Sequence, residues 1–146
     1  MKYYGIGMVL LGLTVSAVQA DTWTVDDDGP ADFNTIRSAM AFASDGDEIV
    51  VFPGTYTGTG GNAAVVDMFG KAVWLHSSDG QESTFIDGEN NYSGIYCYGG
   101  ETSKTIIEGF TIQNCYATKG GGMYLVNGAQ PTIINCTFEN NSANYE

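Results

Sequence analysis

Residues 134–142, INCTFENNS, offer three kinds of chemistry at once. Cys136 is a nucleophile or metal ligand as its thiolate. Asn135-Cys136-Thr137 and Asn140-Asn141-Ser142, like Asn91-Tyr92-Ser93, are N-x-S/T sequons, which matter only in a eukaryotic secretory pathway. The clustered amides could also hold a ligand. Beyond residue 48 the one compact carboxylate pair is Asp87-Gly88-Glu89. Two carboxylates are the minimum for glycoside hydrolysis, but this pair falls in a glycine-rich turn, so the turn reading leads and a sugar or Ca2+ contact comes second. Asp26-Asp27-Asp28-Gly29 offers Ca2+ ligands without the alternate spacing and distal Glu of an EF-hand loop, and reads as a solvated edge.

His76 is the single histidine. With no second His, no Cys nearby and no Ser motif around it, it makes neither a zinc site nor a triad. The cations outside the N-terminal segment are Arg37, Lys71, Lys104 and Lys119. Arg37 falls in a predicted helix away from any coil groove, and Lys71 and Lys104 fall in turns before strands, where they read as solvated. No catalytic set is assigned, and no cofactor or metal site is predicted; Ca2+ is the one ion with candidate ligands.

The elements that would position these residues follow from the rest of the chain. Residues 1–20, MKYYGIGMVLLGLTVSAVQA, have a basic start, an apolar centre too short to span a bilayer and a small-residue end at Val18-Gln19-Ala20. That pattern predicts a secretory signal peptide and an exported chain. No second apolar segment predicts a membrane span. The formal charge of −12 opposes nucleic acid and anionic membranes as partners. Three cysteines leave at least one thiol unpaired.

Phe33, Ile36, Met40 and Ala43 recur at helical steps, with Asp32 placed as the cap and Gly46 past the end, predicting a short helix over 34–43. EIVVFPGTYTG follows as a strand closed by Pro53-Gly54. Thereafter short apolar runs alternate with Gly, Asn, Asp and Ser clusters, too short for sandwich strands. TIIEGFTIQN at 105–114 lies over PTIINCTFEN at 131–140 at an offset of 26 (131 minus 105). Ile107 falls on Ile133, Thr111 on Thr137, Ile112 on Phe138, Asn114 on Asn140 and Phe110 on Cys136; the same step carries Ile86 onto Ile112, Cys97 onto Met123 and Cys115 onto Asn141. Apolar residues stack on apolar residues one coil later, the physical logic of a parallel β-helix. Corner asparagines tolerate the left-handed backbone region, and stacked amides can hydrogen-bond along the axis. No two cysteines stack, which argues against an axial disulfide, and Cys136 reads as a small core hydrophobe. Thr55-x-Thr57-x-Thr59 occurs once and is not repeated per coil, unlike an ice-binding face.

DFNTIRSAMAFASDGDEIVVFPGTYT resembles the helical cap and first coil of bacterial right-handed parallel β-helix proteins of the pectin lyase-like superfamily. AVWLHSSDGQESTFIDGE and TIIEGFTIQN resemble their next coils. GGGMYLVNGAQPTIINCTFENN is similar to the repeat of the polymorphic outer-membrane proteins, with Gly121-Gly122 and Phe138-x-x-Asn141. The resemblance implies an all-β, right-handed single-stranded parallel β-helix. Its expected layout is a signal peptide at 1–20, a cap with a short amphipathic helix at 21–47 and about four coils at 48–146, truncated at the C-terminus.

The superfamily holds lyases, hydrolases, adhesins and non-catalytic proteins, so fold alone does not give function. Its lyases and hydrolases are expected to use acidic sets with Arg or Lys, absent here. The first expectation is therefore a secreted or cell-surface module, bacterial and outer-membrane-associated, non-catalytic in this segment. It would serve as a structural, adhesive or carbohydrate-interacting surface that can self-associate through its open last coil. The alternative is the N-terminal part of a polysaccharide lyase or glycoside hydrolase with its active site beyond residue 146.

Overall fold

The computed structural model describes residues 19–144 apart from 62. The predicted leader, except its last two residues, lies outside the described residues. In chain order the elements are β1 (Thr22–Val25), α1 (Ile36–Phe42), β2 (Glu48–Val51), β3 (Gly54–Thr57), β4 (Ala64–Asp67), β5 (Trp74–Ser77), β6 (Thr84–Asp87) and β7 (Ser93–Cys97), followed by β8 (Ile106–Glu108), β9 (Thr111–Gln113), β10 (Tyr116–Ala117), β11 (Met123–Leu125), β12 (Thr132–Ile134), β13 (Thr137–Glu139) and β14 (Ser142–Ala143). These strands are too short to bury a face alone, so each turn of chain is closed by its neighbours.

The first face orders β1-β2-β5-β8-β12, the second β3-β6-β9-β13 and the third β4-β7-β11, with β10 and β14 as a short fourth pair. Their pairings are parallel, so the chain winds as a β-solenoid of about five turns. The sequence reading gives four because β1, placed there with the cap, pairs with β2 and forms the first rung.

One inward column runs down each face. On the first it is Trp23, Ile49, Leu75, Ile107 and Ile133; on the second Tyr56, Ile86, Ile112 and Phe138; on the third Val66, Ile95 and Met123. Ile49, Leu75, Ile86, Ile95, Ile107 and Ile112 are fully buried, and burial of each such side chain contributes about 1.5–3 kcal/mol. The stacks of Ile107 on Ile133, Ile86 on Ile112 and Ile112 on Phe138 appear as the 26-residue step predicts.

The step is not constant, which corrects one assignment. Cys97 pairs with Leu125, not Met123, because the glycine-rich turn ahead of β11 adds two residues to that coil. Gly121 in that turn is held by proximity: a Cβ there would collide with the Ser142 carbonyl of the next coil. Corner asparagines do adopt the left-handed region, with φ of 50° at Asn114 and 53° at Asn140. Between coils Asn114 Nδ2 donates to Asp87 Oδ2 at 2.9 Å, and Asn141 accepts from Cys115 N at 2.9 Å and donates to Ile112 O at 2.8 Å.

Helix α1 covers the open end of the core with Ile36, Ala39 and Met40. Its cap is Thr35, whose Oγ1 accepts from Ser38 N at 3.2 Å. Asp32, the expected cap, instead accepts from Thr24 N and Thr24 Oγ1 at 2.9 and 2.7 Å, and these bonds hold its carboxyl below the usual range. At the other end Lys71 is not a solvated turn lysine. Its Nζ donates to Met40 O, Ala41 O and Ala43 O at 2.7, 2.9 and 2.6 Å, placing a cation on the orphan carbonyls of the helix C-terminus.

The described cysteines are unpaired, Cys97 and Cys115 buried and Cys136 partly so. Burial pushes the Cys97 thiol up to about 12 and the Cys115 thiol up to about 11, with Glu101 and Asp67 adding to the first. At pH 8 the folded protein therefore presents few thiolates. Ellman titration should find slow reaction in native buffer and three fast equivalents in denaturant; three fast equivalents without denaturant would disprove the buried placement.

Candidate functional site

Alternate residues of a strand face outward together, and on β5 those residues are Trp74 and His76, with Leu75 between them in the core. The two rings stack at 4.2 Å with planes 25° apart. Register places Trp74 between Glu48 and Ile106, and His76 between Val50 and Glu108. The carboxylates then bond on the diagonals: Glu108 Oε2 accepts from Trp74 Nε1 at 3.1 Å, and Glu48 Oε1 lies 2.9 Å from His76 Nε2. Ser77 O faces His76 Nδ1 at 3.2 Å, and Thr22 Oγ1 donates to Glu48 Oε2 at 3.0 Å. Both rings are thus fixed by neighbouring coils, while Trp74 keeps 41% of its surface exposed.

Depressions flank the pair. One of about 360 Å³ is bordered by Trp74, His76, Asp79, Glu82, Glu108 and Asn135. The other, of about 420 Å³, lies against Trp74 with Asp45, Gly46, Ala72 and Lys104. These volumes lie within the roughly 300–1,000 Å³ typical of small-ligand sites. The wall of the first depression is a loop tied to later coils: Gln81 accepts from Thr111 Oγ1 through its backbone oxygen at 2.9 Å and from Thr137 Oγ1 through Oε1 at 2.9 Å.

The parallel rungs have a match in sequence: residues 50–145 fit the family model described as right handed beta helix region. The chain belongs to the right-handed β-helix family. No curated protein and no solved structure matches it, so the remaining sites are read from this β-helix alone.

His76 is the sequence candidate that the β-helix turns into part of a cluster, with Trp74, Glu48 and Glu108. The Asp87-Glu89 turn is used internally. Asp87 accepts from Glu89 N at 2.8 Å, Gln113 Nε2 at 2.8 Å and Asn114 Nδ2 at 2.9 Å. Burial alone would raise its carboxyl, and these donors outweigh burial and hold it below the usual range. Asp26, Asp27 and Asp28 bring carboxylate oxygens within 4.8 Å of one another; Asp26 accepts from Asp28 N and Gly29 N, and Asp27 from Thr55 N.

Arg37, expected away from any groove, borders a small cleft of about 100 Å³ with Thr55, Thr57 and Thr59. It pairs with Asp67 at 3.5 Å and lies 5.3 Å from the Phe69 ring centre. The helix turns its polar side toward the loop after β3, so the cap and the second face share that cleft. Lys104 is exposed at the second depression of the Trp74 site.

On the third face Tyr96 and Tyr124 stack at 5.5 Å with planes 3° apart, beside a depression of about 330 Å³. Both tyrosines are half-buried, whereas Trp74 is exposed. Among the described residues no helix is long and apolar enough to cross a membrane.

Proposed function

We propose that this β-helix is an exported, non-catalytic carbohydrate-interacting module that uses the outer surface of β2, β5 and β8 as its binding face. The observation that carries this reading is the exposed indole of Trp74, fixed on one face by His76 and at its Nε1 edge by Glu108. An immobilised aromatic ring offers a flat apolar face to the C–H surface of a sugar at little entropic cost, while surrounding polar groups orient its hydroxyls. Glu48, Glu108 and His76 supply those polar groups. The leader-like sequence at 1–20 supports action outside the cell.

A soluble oligosaccharide panel read by intrinsic fluorescence and calorimetry tests the reading. Trp74→Ala should weaken binding by about tenfold or more, equivalent to ~1.4 kcal/mol, with an unchanged circular dichroism spectrum. A well-folded Trp74→Ala protein that binds as tightly as the parent would overturn the assignment of this face.

A further inference from the structure

The Trp74 face is asymmetric in charge, and that asymmetry selects among saccharides. His76 covers one face of the indole, leaving the opposite face to the depression bordered by Asp45, Gly46, Ala72 and Lys104. There one carboxylate and one ammonium nearly cancel. Across the stacked rings, the first depression has Asp79, Glu82 and Glu108 at its border and no lysine or arginine. Of these, Glu108 is bonded to Trp74 Nε1, and Asp79 accepts from Ser78 Oγ at 2.6 Å. Each carboxylate has further lone pairs available.

We propose that the ligand is a polysaccharide of unacetylated amino sugar, such as a glucosamine polymer; this rests on the carbohydrate reading above. One sugar ring lies on the free indole face, and the chain runs along β5 past His76. The next residues then bring their C2 ammonium groups among Asp79, Glu82 and Glu108, where charge-assisted hydrogen bonds form. N-acetylation removes that cation and adds bulk. A uronate polymer brings a like charge to the same carboxylates and is repelled, in agreement with the acidity of the whole chain.

The experiment titrates the full chain with three hexamers, of glucosamine, N-acetylglucosamine and galacturonate, at pH 5.5 and low salt. The expected result is glucosamine binding at least about tenfold tighter than N-acetylglucosamine, weakening as salt rises, with galacturonate weakest. The Asp79→Asn, Glu82→Gln double variant should lose about fivefold or more in glucosamine affinity. Asp28→Asn, which removes one charge from the turn after β1, should lose none. Equal binding of the acetylated hexamer, or tighter binding of galacturonate, overturns the amino-sugar assignment and leaves the carbohydrate reading standing. An Asp28→Asn loss as large as that of the double variant, or equal binding of a lysine hexamer, also overturns it, by reducing the effect to overall charge. Absence of binding by all three hexamers sinks both readings.

Discussion

Phe110→Ala should destabilise the protein by about 4 kcal/mol, measured as a shift in the urea midpoint. Phe110 is fully buried and among the largest enclosed side chains. It sits between β8 and β9, and its carbonyl accepts from Thr137 N of the next coil at 2.9 Å. Truncation leaves a cavity that rung packing cannot close, because the backbone spacing above and below is fixed by parallel ladders on three faces. Phe110→Leu should recover most of the loss. Cys136 occupies the equivalent place one coil on and is only partly buried, so Cys136→Ala should cost about 1 kcal/mol or less. Equal costs at the two positions would show that the core is not continuous through this coil.

Asp47→Ala should cost about 3 kcal/mol, through lost partners rather than lost volume. Asp47 is buried and accepts from Asp21 N at 3.0 Å, Trp23 Nε1 at 3.0 Å and Ser44 N at 2.8 Å. It therefore ties the first rung to the loop that follows α1. Burial by itself raises its carboxyl, but the bonds from Ser44, Asp21 and Trp23 and the charge of Lys71 outweigh burial and lower it below the ordinary 3.8. The folded state then prefers the carboxylate. Its contribution is complete above the ordinary value and is lost as pH falls through the lower folded one. Stability should decline on acidification below about pH 4, and Asp47→Asn should be less stable at pH 7 with a shallower acid decline. Asp87, also lowered, keeps part of that slope. A variant whose stability tracks the parent's at every pH would remove Asp47 from this role.

The fold was legible because its information is periodic. Ile86, Ile112 and Phe138 share one step of 26, and a solenoid needs such repetition to bury its columns. The site was not legible by the same means. A step of 26 back from Glu108 reaches Glu82 (108 minus 26), whereas the structure sets Glu108 beside His76, because the loop between β5 and β6 and the segment between β7 and β8 both lengthen that coil. The usable local signal was Trp74-x-His76 on a strand, which puts both rings on one side. Glu48 could have been added from the regular step to Trp74. Lys71 was misread for a related reason: its helix carbonyls lie about 30 positions upstream, at Met40, Ala41 and Ala43, and nothing in a turn composition announces so distant a partner. Thr35 rather than Asp32 caps the helix because Thr24 engages the Asp32 carboxylate first.

Gln81 joins three successive turns, since it leaves the β5–β6 loop and receives hydroxyl bonds from β9 and β13. A stack of rungs held only by nearest-neighbour contacts frays one layer at a time. A strap across two interfaces makes the rungs it spans open together, so the amides of β6, β9 and β13 should exchange with solvent as one cooperative unit. The wall of the Trp74 depression is anchored in that unit, and its shape persists as long as the three turns remain closed.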